Sequence, residues 1–239
     1  MPTLTATAKD ATLSSLSSNF STARDSTTAT LGLNVTQASN EDGVRCDRIS
    51  ARGGFLFTIS RAFFEFDTSG ISATPSAATF KLYGNVGTSA DLFAVKHTIG
   101  DLATPSGGDY DAIDGWSAGA DNSSNVTKYS SEVSSWSDGQ YNEITLNSTA
   151  LSDMASNDYL KICLIEADFD LPNNTPSDNT VRRTGFFMVE SSGTSKDPII
   201  DYTVASAGYG HDVVGVAAAN IGKIKGVATA NVGKVIGVD

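Results

Sequence analysis

The sequence predicts an all-β protein: a jelly-roll-like antiparallel β-sandwich followed by a C-terminal Gly/Val-rich repeat arm. Three observations predict it. Short runs of Val, Ile, Phe, Thr and Tyr recur between clusters of Gly, Pro, Asn, Asp and Ser, which is the punctuation of a sandwich or barrel. No long segment carries apolar residues at a 3.6-residue period, and this excludes a parallel α/β arrangement. The closing stretch GVAAANIGKIKGVATANVGKVIGVD writes the same eleven residues almost twice, and nothing earlier in the chain resembles it.

The elements follow in order. TLGLNV and CDRIS open the strand-like series. ISRAFFEFDTS is the clearest strand: Arg61, Phe63, Glu65 and Asp67 alternate with Ala62, Phe64 and Phe66. Phe63 breaks a strict polar/apolar alternation and predicts burial on both faces. TFKLYG, LFAVKHTI, YNEITLN, LKICLIEADF, TGFFMVES and PIIDYTV complete about nine strands, each bounded by turn residues. TALSDMAS, near 149–156, is the one short helical candidate. The cysteines, Cys46 and Cys163, fall in strand-like segments and read as small buried apolar residues, with a disulfide as the alternative. The organisation is a sandwich over 1–204, a hinge over 205–211 (ASAGYGH) and a repeat arm over 212–239.

Two long polar stretches interrupt the strands, 100–140 and 166–183. Loops of that length usually serve a function or contain structure of their own. The first carries Tyr110, Trp116, Tyr129 and Trp136, the candidates for a sugar-stacking platform, since exposed rings are apolar surface awaiting a partner. The same rings could instead pin the loop to the sandwich.

Composition narrows the function. A formal net charge of -11 without a basic stripe argues against nucleic-acid binding, which needs clustered Lys and Arg, and against an anionic membrane surface. No run approaches the ~18 apolar residues of a membrane span. MPTLTATAKDATLSS has no charged leader and apolar run, so no signal peptide is expected. The two histidines, His97 and His211, are far apart, and His97 reads as a solvent-facing strand residue. Nucleophile elbows, zinc-hydrolase helices, paired CxxC and phosphate-binding glycine loops do not occur. Neither catalysis nor a cofactor is expected. Asp109, Asp111 and Asp114 could offer oxygens to a cation, but the spacing is not that of an EF-hand loop. They read as a solvated acidic turn, Asp168 and Asp170 similarly, and no metal site is expected.

RAFFEFDTSGISATPSAATFKLYG resembles the front half of a widespread extracellular jelly-roll family, often labelled carbohydrate-binding module or disaggregatase-related domain. Arg61, Phe63, Phe64, Phe66, Asp67, Ala78, Phe80 and Leu82 carry the likeness, and FFMVESSGTSKDPIIDYTV is similar to its close. The Gly/Ser loop departs from the family's usual tryptophan-containing segment. The tail resembles repeats that end many tailed-phage virion proteins, through its Ala-x-x-Asn-Ile/Val-x-Lys-Ile/Val pattern. That resemblance implies a structural virion protein, assembled in the host cytoplasm, in a capsid-decoration, fibre or tail-accessory role.

Physically, an eleven-residue period would suit a right-handed helical supercoil. Two glycines per copy, Gly215 and Gly222, then Gly226 and Gly233, argue against helix at about 1 kcal/mol each. Short extended pieces fit better, with turns at 220–223 and 231–234. Such an arm cannot build a core alone. It is expected to lay Val214, Val216, Ile221, Ile224, Val227, Val232, Val235 and Ile236 on copies of itself or on other virion proteins. A host-surface glycan is the second expected partner, through the four loop aromatics. The alternative readings are a carbohydrate-binding adhesin module that does not depend on the arm, and a non-viral filament subunit.

Overall fold

The computed structural model describes residues 2–5, 10–32, 43–51, 53–189, 195–205, 223–224 and 227–228. It divides into two compact units, Met1–Thr203 and Val204–Asp239. The first unit is an antiparallel β-sandwich. Its strands are β1 (Thr3–Thr5), β2 (Asp10–Ser17), β3 (Thr30–Gly32), β4 (Gly43–Ala51), β5 (Gly54–Asp67), β6 (Ala77–Thr88), β7 (Leu92–Lys96), β8 (Tyr141–Thr145), β9 (Tyr159–Glu166), β10 (Val181–Phe186) and β11 (Ile199–Thr203). Two short helices, α1 (Phe20–Arg24) and α2 (Ser148–Ser156), and a 3-10 turn (Gly107–Asp111) complete it.

One sheet runs β1-β11-β6-β8. The other runs β3-β2-β5-β9-β7. Strands β4 and β10 join them, because the far half of β6 turns away from β8 and β11 to pair with β10. Every one of these ladders is antiparallel. The layers meet through aromatic rings: Phe80 of β6 packs against Phe64 and Phe66 of β5 with centroids 5.2 and 5.5 Å apart, both edge to face. Leu82, Ile144, Leu160, Ile162, Leu164 and Phe186 fill the space around them. Each buried side chain of this size contributes about 1.5–3 kcal/mol.

The expectation that β5 is buried on both faces is met. Ala62, Phe64 and Phe66 face the core between the sheets. Ile59 and Phe63 face a second core that also holds Val95, Cys163 and Ile165. What covers that outer face is the long loop: Ile99, Leu102, Tyr110, Ile113 and Val126 pack down on it, with Phe20 and Ala23 of α1. The Gly/Ser stretch is therefore a third layer. Isolated bridges Val95↔Lys128 and His97↔Ile113 stitch it to β7. Cys46 and Cys163 are buried free thiols in this second core, and burial pushes both pKa values up.

The short helices are set by their caps. Asn147 accepts from the backbone N–H of Thr149 and Ala150 and starts α2, while Asn19 accepts from Thr22 and starts α1; both are the expected N-cap chemistry. Gly115 holds the loop layer together. Its φ is +80°, and a Cβ there would strike the carbonyl oxygen of Asn125. Gly119 has a similar φ of +75° but open space beside it. Gly119→Ala should cost only the about 1–2 kcal/mol of a left-handed residue. Gly115→Ala adds a backbone clash and should cost at least about 3 kcal/mol. Urea unfolding of the two variants checks the difference, and equal midpoints would refute it.

Candidate functional site

The loop layer is fastened by charge as well as by apolar contact. Arg61 projects from β5 into the second core, and its guanidinium has all five donors engaged. Nε and Nη2 fork onto Asp170 at 2.9 and 2.8 Å. Nη1 donates to the Tyr110 carbonyl at 3.0 Å and to Asp111 at 2.6 Å. Nη2 also reaches the Arg24 carbonyl at 3.0 Å. Arg24, at the end of α1, donates to the carbonyls of Asp170 and Ala120 and to the Asp25 carboxylate. Both guanidiniums lie over the ring of Trp116, at 4.3 Å for Arg24 and 4.1 Å for Arg61, a cation–π arrangement.

Burial works against the Arg61 charge, but the Asp170 carboxylate, together with Tyr110 and Asp111, outweighs it and holds the pKa well above the ordinary value. Burial lowers Arg24 despite Asp170 and Asp25, and raises Asp111 despite Arg61. The turn that delivers Asp170 is itself organised by a buried acid. Glu166, the last residue of β9, accepts from the backbone N–H groups of Asp168, Phe169 and Asp170 at 2.8–3.0 Å. Burial outweighs those bonds and pushes its pKa up to about 7. The network ties α1, β5, the 3-10 turn and the turn after β9 into one clamp. Its acids and bases bond to each other or to the backbone, and its chemistry is that of a fastener.

The four candidate aromatics do not form one platform. Tyr110 and Trp116 belong to the second core, Tyr129 and Trp136 to the first. Tyr110 is 0% exposed and Tyr129 1%, so neither ring face is open to a ligand, whereas both tryptophans are half-buried. Trp136 packs on Phe186 with centroids 6.0 Å apart. All four sit as anchors that pin the loop to the sandwich.

The acidic turn is not simply solvated. Asp109 closes a capping box with Ser106, Asp111 pairs with Arg61, and Asp114 accepts from Thr127 Oγ1 at 2.6 Å. Among the described residues no group of three His, Cys, Asp or Glu is placed to hold a metal ion. His97 requires a correction: it is buried, 1% exposed, because the returning loop covers β7 through the His97↔Ile113 bridge. Its Nε2 bonds to the Phe64 carbonyl and its Nδ1 accepts from the Ile99 N–H. Sequence reasoning did not find Arg24 as a functional position, and no local signal marks it. Its partners Ala120 and Asp170 lie 96 and 146 residues away.

In the second unit, β12 (Lys223–Ile224) and β13 (Val227–Ala228) pair antiparallel, with Ile224 opposite Val227. They lie on either side of the junction between the two repeat copies. Lys223, read as the end of a turn, is in a strand. Val214, Val216, Ile221, Val232, Val235 and Ile236, like His211, lie outside the described residues. No helix among the described residues is long and apolar enough to cross a membrane. No family model and no curated protein matches the chain.

Proposed function

We propose that this chain is a non-enzymatic structural protein of a tailed-phage particle, anchored through 212–239 and displaying its sandwich outward. The observation that carries the reading is the division of the chain. The repeat falls in the second of the chain's two compact units, and the end of its first copy pairs with the start of its second in an antiparallel ladder. Val- and Ile-rich repeats with little bulk to form a core of their own suit docking to identical or related surfaces, the symmetric contacts by which particles are built. The three-layered sandwich supports the same reading, since a loop layer clamped by Arg61 and Asp170 makes a stiff unit for display.

Light scattering after size exclusion tests it. The full chain should be a multimer, and the chain stopped at His211 a folded monomer. Two monomers would remove self-assembly through the arm.

A further inference from the structure

Asp197 and Pro198 form the one Asp-Pro pair in the sequence, and they stand immediately before β11. Asp197 is buried, at 6% exposure, and so is Pro198. A buried carboxyl ordinarily has hydrogen-bond partners, yet Asp197 Oδ1 has none among the described residues. Lys196, its neighbour in the chain, lies instead over the rings of Phe187 and Tyr83, at 4.1 and 4.9 Å. The backbone carbonyl of Asp197 is treated differently. Tyr141 of β8 aims its hydroxyl at that oxygen at 3.0 Å, sharing its proton with the Ser195 carbonyl at 3.1 Å.

We propose that the Asp197–Pro198 bond is a self-cleavage site, at which the Asp197 carboxyl attacks its own backbone carbonyl and Tyr141 stabilises the oxyanion. Nucleophile and target belong to one residue, so no element has to bring them together. A side-chain oxygen without a partner is free to attack, and Oδ1 is such an oxygen. The attacking group must also supply a proton. Burial raises the pKa of this carboxyl and so favours its protonated form. The Tyr141 hydroxyl keeps its own proton too, because burial and then the charges of Asp197 and Tyr83 raise its pKa. A donor already aimed at the oxygen where charge develops is among the strongest aids to acyl chemistry.

The step balances with water as its only co-reactant. A side-chain oxygen of Asp197 bonds to the backbone carbonyl carbon, the carboxyl proton passes to the proline nitrogen, and the C–N bond breaks. Pro198 leaves as a secondary amine, and Asp197 remains as a cyclic anhydride. Water opens the anhydride to two carboxyl groups, so the net change is hydrolysis of one peptide bond. The nitrogen of a tertiary amide is a more basic leaving group than that of an ordinary peptide bond. After cleavage β11 lies in the downstream fragment and keeps its ladders to β1 and β6. The covalent tie between the sandwich and residues 212–239 becomes a strand contact that can be pulled out. That use rests on the assembly reading of the arm, whereas the cleavage does not. Fragment masses read the bond and light scattering reads the arm, so their failures are distinguishable.

Denaturing intact-mass spectrometry of the full chain, held folded at about pH 5 for several days, tests the site. Fragments Met1–Asp197 and Pro198–Asp239 should accumulate, their masses summing to the full chain plus one water. The same chain unfolded in guanidinium chloride at that pH gives the background lability of an Asp-Pro bond. The folded chain should exceed it at least about 10-fold. Tyr141→Phe, with its folding checked by urea unfolding, should slow cleavage at least about 10-fold, the loss of one oxyanion donor. Asp197→Ala removes the attacking group, keeps the backbone carbonyl that Tyr141 bonds, and should abolish cleavage. The proposal is overturned if the folded chain stays intact, if it cleaves no faster than the unfolded chain, or if folded Asp197→Ala or folded Tyr141→Phe cleaves at the unmodified rate.

Discussion

Arg61→Met should lower the stability of the sandwich by about 3–5 kcal/mol, the loss expected when one partner of a buried ion pair is removed. The cost is concentrated in what the substitution leaves behind. Asp170 is fully buried and would lose the two-pronged contact that stabilises its charge. The carbonyls of Tyr110 and Arg24 would lose their donors at the same time. Arg61→Lys should recover little, because an ammonium cannot reproduce the planar fork. Arg61→Met with Asp170→Leu should recover much of the loss, since an apolar pair leaves no uncompensated charge. Urea unfolding gives the stabilities, and limited proteolysis between 100 and 140 reports whether the third layer has lifted. A single substitution that costs under about 1 kcal/mol would mean that the clamp is not what holds the layer down.

The strands of the sandwich were legible because their apolar runs are long or bounded by turn residues. The β5 segment shows this best: the apolar Phe63 between two polar-facing neighbours announced a sheet covered on both sides. TALSDMAS was legible as a helix for a local reason too, since the residue before it, Ser148, follows the capping Asn147. By contrast β2, ATLSSLS after Asp10, is rich in serine and has no apolar run, and it is a strand because β5 pairs along its whole length. Tertiary context overrides local propensity there. The polar interior was equally hidden. Arg61 and Glu65 look like the solvent side of an alternating strand, and only a third layer, built from residues some fifty positions onward, turns that side into a core. The loop aromatics could be recognised as exceptional in a polar segment. Whether they face out or in depends on that same long-range fold.

His97 gives the expected response to acid. Its two ring nitrogens are committed as a neutral imidazole: with Nε2–H donating to Phe64, Nδ1 accepts from Ile99. A proton on Nδ1 would face an N–H and sit in a desolvated site. Burial, with a smaller contribution from Lys161, lowers the pKa from 6.5 to about 4. A base whose folded pKa is depressed binds fewer protons when folded than unfolded, so stability is full above pH ~6.5 and falls as the pH drops towards about 4. A shift of that size corresponds to about 3 kcal/mol. Glu166 acts in the opposite direction. Its folded pKa is raised from 4.5 to about 7, so the folded state keeps a proton that the unfolded chain has lost, and stability declines as the pH rises across that interval. The two slopes partly cancel near pH 5–6 in the unmodified protein, which makes its net profile a poor test. His97→Gln separates them, because it retains a donor for Phe64 and cannot take up a proton. The stability difference between the unmodified protein and His97→Gln, measured by urea unfolding at several pH values, should shrink by about 3 kcal/mol between pH 7 and pH 4. A difference that stays constant across that range would show that the imidazole titrates alike in the folded and unfolded chains.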